Sequence, residues 1–191
     1  MANKTDQILQ KFKNKKIGVF IDEGNVFYSQ RELKWHIHWE KFLHYLERHA
    51  TIEIARYYMG MPTEKIAYEK NIIVKHRLEK EGFKVVDKPL KKIYLNKQKN
   101  DFKNKCNFDV EITRDVIRNL DQLDVIIVVS GDSDFIGLRD DVLTHGKHFI
   151  FACFEHSVAW EIRRSYHIFF ENIRDEIEYG KENKNPGENP R

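Results

Sequence analysis

The segment from Val125 to Phe135, VIIVVSGDSDF, is an unbroken run of β-branched apolar residues that empties into two aspartates one residue apart, Asp132 and Asp134. A run of this kind reads as a strand buried on both faces, the hallmark of a parallel sheet. Open α/β sheets place ligands and chemistry at the carboxyl ends of such strands. The same pattern occurs early in the chain as IGVFIDEGN, where apolar residues from Ile17 to Ile21 release Asp22 and Asn25. Two acidic strand ends point to one shared acidic site.

The rest of the pattern alternates strand-like and helix-like stretches, which predicts a single three-layer α/β/α domain with a mainly parallel sheet of about five strands. Strands are expected at Lys16 to Asp22, Ile52 to Tyr58, Phe83 to Val86, Val125 to Val129 and Lys147 to Phe154, with a short edge strand at His167 to Phe170. Helices are expected at Asn25 to Leu33, Trp39 to Arg48, Thr63 to about Glu81, Asp109 to Asn119 and Ser133 to Leu143, followed by Ser157 to Arg164 and a polar Glu171 to Tyr179. Gly82 and Gly146 are the expected stops. Residues 1–15 read as a basic N-terminal arm or helix, 16–178 as the folded domain, and 179–191 as a disordered tail, polar and rich in Pro and Gly.

A chain of 191 residues suits one domain with a sizeable core, and its 41% hydrophobic and 33% charged residues are globular values. The net charge of +3 does not by itself declare a nucleic-acid binder, so the distribution matters more. Cys106 and Cys153 are far apart and lack any zinc-type spacing. No apolar run approaches the roughly 18 residues of a membrane helix, and the first residues lack the pattern of a signal peptide. The expectation is a cytoplasmic protein with reduced thiols and no membrane partner.

Asp22, Asp109, Asp132 and Asp134 share one address, the C-terminal edge of the predicted sheet. Gathered carboxylates repel, and they persist only if solvated, partly protonated or neutralised by a cation. Oxygen donors without His or Cys favour Mg2+ or Mn2+ over zinc. A single aspartate at a strand end also reads as a turn or cap residue, and Ser133 as a cap. Convergence of separate segments is what favours a site.

These residues resemble the motifs of NYN domains, the LabA-like branch of the PIN-like nuclease group. IGVFIDEGNVFYS is similar to the first motif, KCNFDVEITRDVI to the second through Lys105, Asp109 and Asp115, and VVSGDSDFIGLRDDVLTHGKHFIFAC to the third through Ser130, Gly131, Asp132, Asp134 and Phe135. The resemblance covers roughly residues 16 to 170. It implies a compact domain with a metal-binding pocket and ribonuclease activity, in which Asp22, Asp109, Asp132 and Asp134 hold a metal or its waters. Asn25 would orient a carboxylate or contact substrate, and Ser130 would steady the loop. Asp115 reads either with this motif or as a helix acid pairing with Arg118. Glu23 reads as an exposed loop acid. The chain departs from the pattern near Ser165 and Tyr166, where many relatives carry another aspartate.

Between Lys88 and Lys105 the sequence KPLKKIYLNKQKNDFKNK carries seven lysines against one acid, Asp101. Lys91, Lys92 and Lys105 could neutralise a phosphate backbone, and Tyr94 and Phe102 offer faces to unpaired bases. The same segment also reads as a solvated insertion. Lys11, Lys13, Lys15 and Lys16 form a second basic cluster on the N-terminal arm. The leading expectation is a Mg2+- or Mn2+-dependent endoribonuclease acting on single-stranded or loop RNA. An RNA-binding or regulatory module with little turnover is the alternative, motivated by the missing acid, and a Toprim-like phosphotransfer site ranks last because Asp22 stands where that fold uses a glutamate. A homodimer is left open.

Overall fold

The computed structural model describes residues 4–96 and 101–180, with the side chains of 94–96 and 101–104 outside that description. The first helix, α1 (Lys4–Gln10), leads into strand β1 (Lys16–Asp22), which is followed without a gap by α2 (Glu23–Leu33). Helix α3 (Trp39–Glu47) precedes β2 (Thr51–Met61), and α4 (Lys65–Lys80) precedes β3 (Lys84–Pro89). A hairpin of β4 (Lys91–Asn96) and β5 (Asp101–Lys105) then delivers the chain to α5 (Asp109–Asn119). Strand β6 (Val125–Val129), helix α6 (Ile136–Thr144), strand β7 (His148–Cys153), the short β8 (His167–Phe169) and α7 (Arg174–Ile177) complete the order.

Six strands form one all-parallel sheet in the order β3-β2-β1-β6-β7-β8. The expected edge strand at His167 pairs with β7 and brings the count to six. Side-chain alternation divides the core into two layers, as the period of a strand requires. Ile17, Val19, Ile21, Val125, Ile127 and Val129 point into one cluster with α3 residues such as Phe42 and Leu46. Phe20, Tyr58, Ile126, Val128 and Phe151 point into the other, with Ile112 and Val116 of α5 and Leu138 of α6. This is the three-layer arrangement read from the sequence. Gly82 (φ 95) and Gly146 (φ 70) end α4 and α6 in the left-handed region that favours glycine.

Several expectations need correction. Of the two readings of the N-terminal residues, arm or helix, the structure shows a helix over Lys4–Gln10 that is docked and not solvated: Leu9 and Phe12 are buried in the first core layer, while Lys11, Lys13, Lys15 and Lys16 stay exposed. The stretch from Ser157 to Arg164 holds two short 3-10 turns, Glu155–Ser157 and Ile162–Arg164, instead of one helix. The segment from Glu171 is a 3-10 turn and one α-turn, and it is not polar throughout, since Ile173 and Ile177 are buried. Pro89 closes β3, an edge strand where a missing N–H is tolerated. The basic segment after it is an antiparallel ribbon with Lys91 opposite Lys105 and Lys92 opposite Asn104. Residues 179 and 180 are described as irregular; the expected tail beyond them lies outside the described residues.

The central strand makes the largest demand on packing. Ile127 is wholly buried between β1 and β7. Truncation to alanine removes buried methylenes and leaves a void, so Ile127→Ala is expected to lower stability by about 2–5 kcal/mol in urea denaturation. A loss under about 0.5 kcal/mol would mean that β6 is not the centre of the core.

Candidate functional site

The register of the parallel sheet sets Ile21 beside Val129, so that Asp22 and Ser130 leave the sheet at the same level. Asp22 is the last residue of β1 and the N-cap of α2, in an extended conformation (φ −82, ψ 96), without a capping hydrogen bond from its side chain. Two residues on, Gly24 leaves the space above it open: a Cβ there would stand 3.4 Å from Asp22 Oδ1. The amide oxygen of Asn25 accepts the Gly131 N–H at 2.8 Å. That bond joins the turn after β1 to the turn after β6.

The third motif is a compact turn held by its own polar atoms. Ser130 is fully buried, and its hydroxyl accepts the Asp132 N–H at 3.2 Å. Asp132 Oδ1 accepts the Asp134 N–H at 3.0 Å and caps the 3-10 turn Ser133–Phe135. A side chain at Gly131 would crowd the turn, because a Cβ would lie 3.2 Å from the Ser157 carbonyl. The Gly131 carbonyl accepts the Ala159 N–H at 3.0 Å, and the Ser29 and Ser157 hydroxyls share a 2.9 Å hydrogen bond. Sequence reasoning missed this outer layer of Ser29, Ser157 and Ala159, since no motif spacing connects them.

Asp109 enters from the other side as the first residue of α5. Asn107 fixes it twice, its Oδ1 accepting the Asp109 N–H at 2.8 Å and its Nδ2 donating to Asp109 Oδ2 at 2.6 Å. Burial raises the pKa of Asp109; the Asn107 hydrogen bond opposes this, and the charges of Asp132 and Asp134 add to it. Asp22 is affected more: burial, then the charges of Asp109 and Asp132, push it up to about 6, against the nearby Gly24 and Asn25 amides. Asp22, Asp109, Asp132 and Asp134 therefore share one electrostatic neighbourhood. Asn25 and Ser130, expected near substrate, are engaged in holding the turns.

Lys105 lies close enough to Asp109 to lower its pKa. Lys91 and Lys92 are exposed on the adjoining ribbon, with Lys92 Nζ 2.5 Å from Glu64 Oε1. Tyr94 and Phe102 pair opposite one another along the backbone, but their side chains lie outside the described ones. An exposed Trp160 follows Ala159 directly, with the Arg164 guanidinium 5.0 Å from its ring centre. Glu23 opens α2 and does not stand in a loop. Ser165, at the corner where an acid was missed, accepts a 2.6 Å hydrogen bond from Arg139.

Asp115 follows neither of its two sequence readings. It is buried on the flank of α5, where it takes a 2.5 Å ion pair from Arg56 and a 2.9 Å hydrogen bond from the Tyr58 hydroxyl. Burial alone would raise its pKa, but the Tyr58 and Arg56 contacts outweigh burial and hold it below the usual carboxylate range.

As a donor set, four carboxylates with neither His nor Cys suit a hard divalent ion. Among the described residues no three acidic, His or Cys side chains form a ready-made cation cage. Ligation partly through water, the habit of Mg2+, is the mode compatible with both observations.

The shift of Asp22 has a consequence for stability. Its folded pKa of about 6 exceeds the unfolded value of 3.8, so the folded state holds the proton more tightly. The protonated carboxyl favours the fold below pH 3.8, and this contribution disappears as pH rises through about 6. Asp22→Asn is accordingly expected to gain Tm relative to the parent on going from pH 4 to pH 7, with millimolar Mg2+ shrinking the difference. A pH-independent difference in thermal melts would contradict the crowded-carboxylate reading.

The family model described as "NYN domain" matches residues 16–173. The chain is 26% identical over 173 residues to the "Low amplitude and bright protein LabA" of Synechococcus elongatus, covering 87% of this chain and 90% of that one. It also superposes on the crystal structure of a protein of unknown function from Vibrio parahaemolyticus, with a TM-score of 0.67, 23% identity, and coverage of 82% of this chain and 92% of the other. The last likeness bears on the fold alone. The chain belongs to the NYN domain family, and its four converging aspartates stand within the matched region.

Proposed function

We propose that the protein is a metal-dependent endoribonuclease that hydrolyses single-stranded or loop RNA at the Asp22, Asp109, Asp132 and Asp134 cluster. The single observation that carries this reading is the convergence of these carboxyls at one edge of the sheet, where burial and neighbouring carboxylates push the Asp22 and Asp109 pKa values up. Such crowding at a sheet edge is costly without a cation, and perturbed carboxyls of this kind concentrate at functional sites. Membership of a PIN-like nuclease family supports the same chemistry.

A bound Mg2+ or Mn2+ would activate water and stabilise charge developing on the phosphate. The protein's own residues supply position. Asn25 and Ser130 hold the turns that carry the acids, and Asn107 fixes Asp109. Lys91, Lys92 and Lys105 offer phosphate contacts along the ribbon, and Tyr94 remains a proposed stacking residue there. Trp160 presents a ring face near the third-motif turn for an unpaired base.

A second reading has its own observation. The sequence places Ser165 and Tyr166 where many relatives carry an aspartate, and Ser165 accepts a hydrogen bond from Arg139, which favours an RNA-binding module with little turnover. One experiment separates the two. Incubation with unstructured RNA and Mn2+ or Mg2+ is expected to yield endonucleolytic products, with Asp132→Asn at least about 100-fold slower yet still binding RNA. Equal inactivity of parent and variant on varied RNAs, with RNA binding intact, would reject the nuclease and leave the binding module.

A further inference from the structure

A second concentration of charge, opposite in sign, lies on the same helix as Asp109. On the face of the sheet covered by α5, alternate residues of β2 and β3 point toward the helix: Arg56 and Tyr58 from one strand, Lys84 and Val86 from the other. Arg56 and Lys84 are paired in register and sit side by side. Across from them α5 presents Arg114, Asp115 and Arg118. Together they line a cleft of about 440 Å³ between α5 and the edge of the sheet.

The two ends of this seam are built differently. Near the acidic pocket, Lys88 Nζ meets Glu111 Oε1 at 2.6 Å, so strand cation and helix anion cancel. One helical turn farther, Asp115 serves Arg56. At the far end the complementarity stops. Lys84 and Arg118 both line the cleft, both are exposed, and neither makes an ion pair among the described residues. Four cations thus line the cleft with one carboxylate, and that carboxylate is already shared by Arg56, Arg114 and Tyr58, leaving Lys84 and Arg118 without one.

Arg56 adds the second observation. Its guanidinium is oriented from below by Asp115, and its Nε is buried without a hydrogen-bond partner. A buried donor left unmade is costly, and like charges facing across a cleft repel. The repulsion among the cations of the cleft is relieved by an anion with several acceptor oxygens. Arginine forks match tetrahedral oxyanions in geometry as well as charge. The dipole of α5 places its negative end here, so the attraction comes from side chains and not from the helix backbone.

We propose that the cleft between α5 and the β2-β3 edge is a phosphate-binding site, gripped by Arg56, Lys84, Arg114 and Arg118. It is separate from the acidic pocket: Arg118 lies nine residues beyond Asp109, about 13–14 Å along the helix axis. The ligand is a phosphoryl group, carried either by a free nucleotide or by the backbone of a bound polynucleotide. The site's existence does not depend on the acidic cluster being catalytic.

The test uses the full chain in chelator, so that no cleavage occurs, with Asp132→Asn as background. The probes are inorganic phosphate, adenosine monophosphate and a fluorescent single-stranded RNA oligonucleotide. The double variant Lys84→Ala/Arg118→Ala alters exposed positions only, and Lys84→Arg/Arg118→Lys keeps the charge. Free-ligand occupancy predicts that phosphate or the mononucleotide raises Tm, relative to chloride at equal ionic strength, in the parent and the charge-keeping variant but not in the alanine pair. Polynucleotide occupancy predicts that the alanine pair binds RNA several-fold more weakly, with a log K against log salt slope shallower by about 1.4 for two lost phosphate contacts. Identical responses of parent and alanine pair to all three probes would overturn the proposal. Because binding alone is read, failure here leaves the nuclease reading untouched, and inactivity of the enzyme leaves this site standing.

Discussion

The hydrogen bond from the Gly131 N–H to Asn25 Oδ1 joins two turns separated by more than 100 residues of sequence, and the acidic cluster depends on it. Parallel pairing of β1 with β6 brings the strand ends level, but it does not decide where the chain goes afterwards. The amide of Asn25 does, by holding the Gly131 turn against the start of α2. Ser130 fixes Asp132 from beneath, and Asp132 caps the turn that carries Asp134. The energy of these small contacts opposes the repulsion of the carboxylates they assemble.

Helix α5 links the two charged regions. Its first residue, Asp109, joins the acidic cluster, and its last turn presents Arg118 to the basic cleft. Between them Glu111 and Asp115 are each matched by a cation from the sheet, Lys88 and Arg56. A polynucleotide lying along this flank would meet carboxylates at one end and guanidinium groups at the other. The basic ribbon of β4 and β5 comes near Asp109 through Lys105.

Much of this was legible in the sequence wherever local pattern and burial agree. The β-branched run VIIVV read as a strand buried on both faces and is one, and both glycine stops carry the left-handed conformation that made them predictable. The acids were found because three separate segments ended alike. What escaped was set by tertiary contact. Asp115 carries the same letter as Asp109, yet six residues along a helix turn it toward Arg56 and Tyr58, residues that no local pattern connects to it. Leu9 and Phe12 looked like part of a solvated arm because lysines surround them, although their apolar side chains are buried and the Tyr45 hydroxyl donates to Asp6 beside them. The Arg56 cleft was invisible for the same reason, being assembled from β2, β3 and α5.

The central claim is that the four aspartates crowd together to hold a divalent cation, and calorimetric titration of Mn2+ into the protein at pH 6 measures this directly. The account predicts saturable binding that releases protons, since a group with a pKa near 6 must be fully ionised to ligate, and loss of that binding in Asp22→Asn. Absence of binding at millimolar Mn2+, or an unchanged isotherm in the variant, would contradict it.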